Sequence, residues 1–320
     1  DEKGNLLPFF ITISNMPVTD KIKNGNERVL RARLEDARFF YNEDKKKSLD
    51  DFVDELKGVV FQKKLGTLYE KMERISGLAE NLCNRTCPDK QPQALRAGRL
   101  CKADLVTLMV YEFPELQGIM GGYYAAHSGE APEVSLAIKE HYRPDFSGDA
   151  PPESELGAVI AVADKLDTIL GCIGVGLIPS GSEDPYALRR NALGIIQIFL
   201  HRGWQVSLDS LVEDGLCSMG SKLKLEPEAI KKHVLDLFSQ RYKSHLNAEG
   251  FPHDAIDCVL STGLDSIVDI KAKVAAFSDL KKQPYFEPLA IAFRRVVSIL
   301  KEGSAGEVDS GLLNEPAEKR

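Results

Sequence analysis

The chain has 320 residues, 43% of them hydrophobic and 28% charged, with a formal net charge of −7; it has enough apolar material for a sizeable core and is long enough for two domains of ordinary size. The acidic balance repels nucleic acid on average, so any RNA contact must come from local basic patches. No run of about 18 apolar residues offers a membrane span and no basic-then-apolar stretch offers a secretory leader, so cytoplasm is the expected location.

NLLPFFITISN, from Asn5, is an apolar run with β-branched residues and predicts a short β segment. With no partner strand in view, residues 1–27 read as the end of a truncated preceding module and the chain as a piece of a longer polypeptide. Asn24-Gly25 is a turn signal. Over 28–44, Val29, Leu30, Leu34, Ala37 and Tyr41 fall on or near one face at helical spacing, which predicts an amphipathic helix. Asp44, followed by three lysines, reads as its solvated exit. Ser48 stands where it can cap a second helix, with acidic residues in the first turn. FQKKLGTLYEKMERISGLAENL continues in helical period to residue 82, CPDKQP breaks the pattern, and QALRAGRLCKADLVTLMVYEF predicts another long helix.

ELQGIMGGYYAAHSGE keeps the helical period while rich in glycine, a composition that lets two helices approach closely. EVSLAIKEHY predicts one more helix, RPDFSGDAPPES is the strongest loop signal, and residues 154 to about 171 close a first helical domain over 28–176. GVGLIPSGSEDP marks the expected boundary. Residues 177–302 remain helical in pattern, from PYALRRNALGIIQIFLHRG to EPLAIAFRRVVSILKE, and form a second helical domain. The polar stretch 303–320 reads as a tail entering a truncated further domain. The fold class is therefore mainly α.

Six cysteines stand at 83, 87, 101, 172, 217 and 258. Cys83 and Cys87 form a CxxxC with Cys101 downstream, but no fourth ligand lies at zinc-finger spacing, so free thiols and no metal are expected. No pair of the six histidines flanks a glutamate at i, i+4; single surface or core histidines account for His127, His141 and the rest. GxSxG and GxxxxGK[ST] are absent, and no nucleophile has a convincing base, so no catalytic residue is expected. Basic residues cluster more usefully. Arg28, Arg31 and Arg38 with Lys63 and Lys64 make one group, and Arg189 with Arg190 sit in the first turns of the helix opened by Asp184-Pro185. Arginine forks fit phosphate oxygens, and a helix N-terminus adds backbone donors. Pairing with the abundant acids, such as Arg31 with Glu35, is the alternative, and residue types alone leave both open.

The ordered segments KLGTLYEKMERI, KADLVTLMVYEFPELQGIMGGYYA, IKEHYRP, AVADKLDTILG and PSGSEDPYALRRNALGIIQI resemble the beta subunit of bacterial glycyl-tRNA synthetase. The likeness extends from GNERVLRARLEDARFFY almost to the end, at AFRRVVSIL. It implies an assembly of two alpha and two beta subunits, in which alpha activates glycine with ATP and Mg and beta captures tRNA(Gly). It implies no cofactor here, an anticodon-binding domain starting about where the chain stops, and a piece that does not charge tRNA alone. With RNA as the implied partner, Arg189 and Arg190 are the first candidates for contact and Arg28 and Arg31 the second, with Lys63 and Lys64 beside them.

The same segments trace the outline of an HD-type helical domain over 28–176. Such a domain holds a metal with one histidine, an adjacent His-Asp and a distant aspartate. At these positions stand Arg74 (or Ser76), Cys101-Lys102-Ala103-Asp104, and Asp164. Both imidazoles are missing, and Lys102 and Arg74 are the natural counter-charges for Asp104 and Asp164. The expected function is a tRNA-binding, non-adenylating subunit of glycine–tRNA ligase. The alternatives are a divergent HD-type metal-dependent nucleotide phosphohydrolase and a purely structural docking module.

Overall fold

A computed structural model describes residues 7–146 and 148–299. Among them the chain forms fourteen α-helices and one small hairpin, so the mainly α reading holds. Helices α1 (Asp20–Asp44) and α2 (Leu49–Glu55) lead into β1 (Val60–Gln62) and β2 (Gly66–Thr67), which pair antiparallel. Then come α3 (Leu68–Thr86), α4 (Gln91–Leu100), α5 (Leu108–Glu112), α6 (Ile119–His127), α7 (Pro132–Glu140) and the long α8 (Glu155–Gly174). They are followed by α9 (Leu188–Arg202), α10 (Leu208–Met219), α11 (Pro227–Ala248), α12 (His253–Leu260), α13 (Ile267–Lys281) and α14 (Phe286–Ile299). No helix among the described residues is long and apolar enough to cross a membrane.

Helix starts follow side-chain chemistry. Ser48 caps α2 as its position predicts, and the Asp51 carboxylate answers by accepting from the Ser48 backbone N–H. Thr67 and Glu70 repeat the arrangement at α3, and Ser154 accepts from Gly157 N at the start of α8. Helix α8 is mostly apolar and buried on nearly all sides, which places it in the interior. Helices α3, α4, α7, α9, α10 and α11 pack around it. Each buried Leu or Ile contributes about 1.5–3 kcal/mol, so the few polar residues of α8 are carried into the core by their neighbours. The buried apolar cluster runs from Leu49 to Val274, and α8 and α9 pack on each other across residue 176.

Glycines 121 and 122 bring α6 against α7, as the glycine-rich pattern predicts. A Cβ at Gly122 would lie 2.9 Å from Ser135 O, and one at Gly121 would lie 2.8 Å from Ile138 Cγ2.

Several local expectations change. The described part of the N-terminal β segment, from Leu7, forms no strand; the two described strands pair only with each other and offer it no edge. Asn24-Gly25 makes no turn, because Thr19 starts α1 earlier and the helix continues through both. The apolar face of α1 is largely open: Val29, Leu30 and Leu34 are exposed, and only Ala37 and Tyr41 among the predicted face pack on the core. Asp44 is no solvated exit. It is buried and accepts from Leu108 N, Met109 N and Tyr124 Oη at 2.8–2.9 Å, capping α5 from 64 residues away. This cap and Thr107 divide the single long helix predicted around CKADLVT. FQKKLG forms the hairpin instead of helix, turning at Gly66, whose φ of +96° suits glycine. Residues 303–320 lie outside the described residues.

Candidate functional site

The polar residues of α8 meet those of α3 in the core. Lys71 and Arg74 stand at i, i+3 on α3, and Asp164 and Asp167 stand at i, i+3 on α8, so each pair shares a helix face. Arg74 grips Asp167 with its fork, Nε to Oδ1 at 2.5 Å and Nη2 to Oδ2 at 3.2 Å. Lys71 Nζ bridges the carboxylates, 3.0 Å from Asp167 Oδ2 and 2.8 Å from Asp164 Oδ1, and donates to Thr168 Oγ1 at 2.8 Å. Lys102, in the turn after α4, places its ammonium 2.6 Å from Asp164 Oδ2 and 3.9 Å from the Tyr142 ring centroid. All four partners in these ion pairs besides Lys102 are buried, and Lys102 is only 3% exposed.

Burial alone would raise the Asp164 carboxyl, but the Lys102 and Lys71 charges outweigh it and hold the group well below its ordinary range. His141 completes the site. Burial, reinforced by the Lys102 charge, pushes its imidazole well below its ordinary value, so the ring is neutral. Its Nδ1–H donates to Ile138 O at 2.6 Å, leaving Nε2 to accept from Lys102 at 2.9 Å.

Asp104 stands apart from these ion pairs. Its Oδ2 accepts from Gly118 N and Gly121 N at 2.6 and 3.0 Å, and burial pushes its pKa up to about 6. The expectation that Lys102 and Arg74 neutralise Asp104 and Asp164 is thus half realised. Lys102 pairs with Asp164, Arg74 pairs with Asp167, and Asp104 takes backbone donors at the start of α6 through Oδ2 alone, its Oδ1 being buried without a partner among the described residues. A dication does not fit here, since both Asp164 oxygens already face ammonium groups and the nearby imidazole is engaged. Among the described residues no group of three His, Cys, Asp or Glu side chains converges as a metal site.

Above the ion pairs opens a cavity of about 300 Å³. Lys71, Lys102, Lys165 and Arg190 line it with Asp145 and Asp164, and Phe61, Tyr142, Tyr186 and Asn191 form part of its wall. Lys165 Nζ donates to Tyr142 O at 2.8 Å. Burial lowers its pKa to about 8, with Asp164 opposing and Lys102 and Arg190 adding to the decrease.

The predicted basic residues separate. Arg190 is exposed at this cavity, while Arg189 donates to Gly181 O at 2.9 Å and turns to the loop before α9. The N-terminus of α9 is not open to a phosphate, because the Asp184 carboxylate accepts from Leu188 N and Arg189 N at 2.7 and 3.0 Å. Arg28 and Arg31 are exposed on α1, and Arg31 lines a larger cavity, of about 920 Å³, between residues 7–18 and that helix. Among the described residues Arg31 makes no ion pair with Glu35; the ion pairs of α1 join Arg33 to Glu112 on α5 and Glu43 to Lys46 just beyond its end. Lys63 and Lys64 are exposed in the hairpin turn, and Lys64 reaches Val175 O and lies beside Lys224. No hydrogen bond or ion pair between described residues joins the hairpin lysines to α1. All six cysteines are free thiols, four of them buried.

Lys71, Lys165 and Asp167 are site residues that the sequence reading passed over, and His141, read there as a single surface or core histidine, is a buried one that joins the site. One signal was present: KMER and ADKLD carry paired cations and paired carboxylates at matching helical spacing.

Fold and site together define a helical scaffold built around a buried lysine–aspartate network with a cationic pocket above it. A family model described as glycyl-tRNA synthetase beta subunit matches residues 1–261. Glycine–tRNA ligase beta subunits of Geobacter sulfurreducens, Trichlorobacter lovleyi and Syntrophotalea carbinolica are 50%, 47% and 46% identical over 320 residues, covering 99% of this chain. The chain belongs to the glycyl-tRNA synthetase beta subunit family. It spans 46% of the length of each of these relatives.

Proposed function

We propose that this chain is a tRNA-binding, non-adenylating part of the beta subunit of glycine–tRNA ligase, positioning tRNA(Gly) for aminoacylation by the alpha subunit. The observation that carries the reading is the Lys102–Asp164 pair. A hydrolytic metal would need that carboxylate, and an ammonium holds it instead. Membership of the family supplies the rest of the support. The chemistry left to such a scaffold is orientation, which lowers a barrier through entropy without any group here reacting.

In this reading the helical body is of HD type, ATP and Mg act at the alpha subunit, and two alpha and two beta subunits assemble in the cytoplasm. The chain alone charges no tRNA. Exposed Arg28, Arg31, Lys63, Lys64 and Arg190 provide local positive charge on a chain whose net charge is −7. Arg189 contributes less, since it is partly engaged by the Gly181 carbonyl.

The test is a salt series of tRNA(Gly) binding to the intact ligase, comparing the Arg28→Glu/Arg31→Glu and Arg189→Glu/Arg190→Glu variants with wild type. For every phosphate deprived of its cation, the plot of log affinity against log salt should flatten by about 0.7–0.9. If neither variant changes affinity or slope, these clusters do not hold RNA and the chain is a docking module.

A further inference from the structure

The cavity above the buried ion pairs has an unequal charge lining: four cationic side chains against two carboxylates. The cations are not equivalent. Lys71 and Lys102 are spent on Asp164, Asp167 and His141 at the floor. Lys165 is buried in the wall, Arg190 is exposed at the opening, and neither makes an ion pair among the described residues. Lys165 donates one hydrogen bond, to Tyr142 O, which leaves two of its three donors uncommitted. Arg190 is exposed, and its charge acts unfavourably on Lys165. Asp145 faces the same lysine but is exposed and forms no ion pair with it. Two cations that line one cavity without an ion pair of their own are stabilised by an anion between them.

The wall restricts the anion's identity. Phe61 and Tyr186 meet edge to face, with ring centroids 6.1 Å apart, and Asn191 offers an amide beside them. Such a surface accepts a planar heterocycle by contact and one or two hydrogen bonds. The cavity volume of about 300 Å³ is at the lower end of those that take small organic ligands, which suits one nucleotide and no more. A phosphate monoester carries a charge of about −1.5 to −2 at neutral pH, more than a diester, and arginine can bind it through two parallel hydrogen bonds.

We propose that this cavity is a binding site for a nucleoside 5′-monophosphate, with the phosphate between Lys165 and Arg190 and the base against Phe61 and Tyr186. The lining alone carries this inference, which therefore goes beyond the tRNA reading and does not depend on it. The same chemistry is presented by a free mononucleotide and by the 5′-phosphate end of an RNA. No bond is made or broken in the site.

Calorimetric titration of the chain with AMP, inorganic phosphate and adenosine tests the site. AMP should bind about tenfold more tightly than either inorganic phosphate or adenosine, because only AMP fills both halves of the cavity. Arg190→Glu, at an exposed position, should weaken AMP binding by about tenfold or more, and Lys165→Met should weaken it in the same direction. No detectable binding of AMP and phosphate up to about 10 mM, or equal AMP affinity in Arg190→Glu and wild type, overturns the proposal. One RNA oligonucleotide in 5′-phosphorylated and 5′-hydroxyl forms identifies the source. Tighter binding of the phosphorylated form, abolished in Arg190→Glu, assigns the site to an RNA end. Equal binding of the two forms alongside AMP binding assigns it to a free nucleotide.

Discussion

Asp164 keeps its charge inside the core because two ammonium groups replace its water shell, and each member of that group depends on the others. Lys102→Met leaves a buried carboxylate with one partner fewer and frees His141 Nε2. Breaking a buried pair from one side costs about 3–5 kcal/mol, so the urea midpoint should fall sharply. Asp164→Leu combined with Lys102→Met should recover part of that loss, and an unchanged midpoint in the single variant would contradict the network. Asp104 responds to pH in the opposite sense from a salt-bridged aspartate. Burial raises it from 3.8 to about 6 in the folded protein, so the native state binds the proton more tightly than the unfolded chain does. Its contribution to stability is greatest below the unfolded value, declines as pH rises through 4 to 6, and is gone above that window. In Asp104→Asn this slope is absent. The stability of the variant relative to wild type should therefore rise by about 2–2.5 kcal/mol between pH 4 and pH 7, read from urea titrations at each pH.

Two glycines in helices show what the element scale adds. Gly25 lies in α1 with nothing within 4 Å of an added Cβ, whereas Gly122 in α6 would meet Ser135 O and Lys139 Cβ of α7 at 2.9 and 2.8 Å. Gly25→Ala should stabilise by up to about 1 kcal/mol through helix propensity. Gly122→Ala forces α6 and α7 apart and should destabilise by about 1–3 kcal/mol. Thermal unfolding of the two variants checks the pair, and the same sign in both would refute the packing argument. The sequence reading took the glycine-rich segment that contains Gly122 as a place of close helix approach. It also read Gly25 as a turn, because Asn-Gly is a local signal that carries no information about the Thr19 cap upstream.

Across the whole molecule, burial is concentrated on α8 and its neighbours and thins towards both ends of the described chain. Helix α1 packs on α5 and α14 on α13, and each leaves apolar residues in solvent, among them Leu34 and Phe39 on α1 and Phe293 and Val297 on α14. Amide hydrogen exchange should follow this gradient. Amides of α3 and α8 should exchange through global unfolding, and those of residues 20–36 and of α14 by local opening many-fold faster. Protection in α14 equal to that in α8 would mean that burial does not set the order.

The sequence by itself determined the family, the dominance of helix, the cap at Ser48 and the helix beginning at Ser154. These are legible because capping and periodicity act within a few residues of the chain. Only the tertiary structure decided that Lys102 meets Asp164 across 62 residues, that Arg74 takes Asp167, and that Asp44 caps α5. It also brought Lys165 and Arg190 to one cavity. Such pairings depend on where α3, α8 and α9 cross, and those crossings follow from apolar side chains that fill the core without regard to which charges they carry inside.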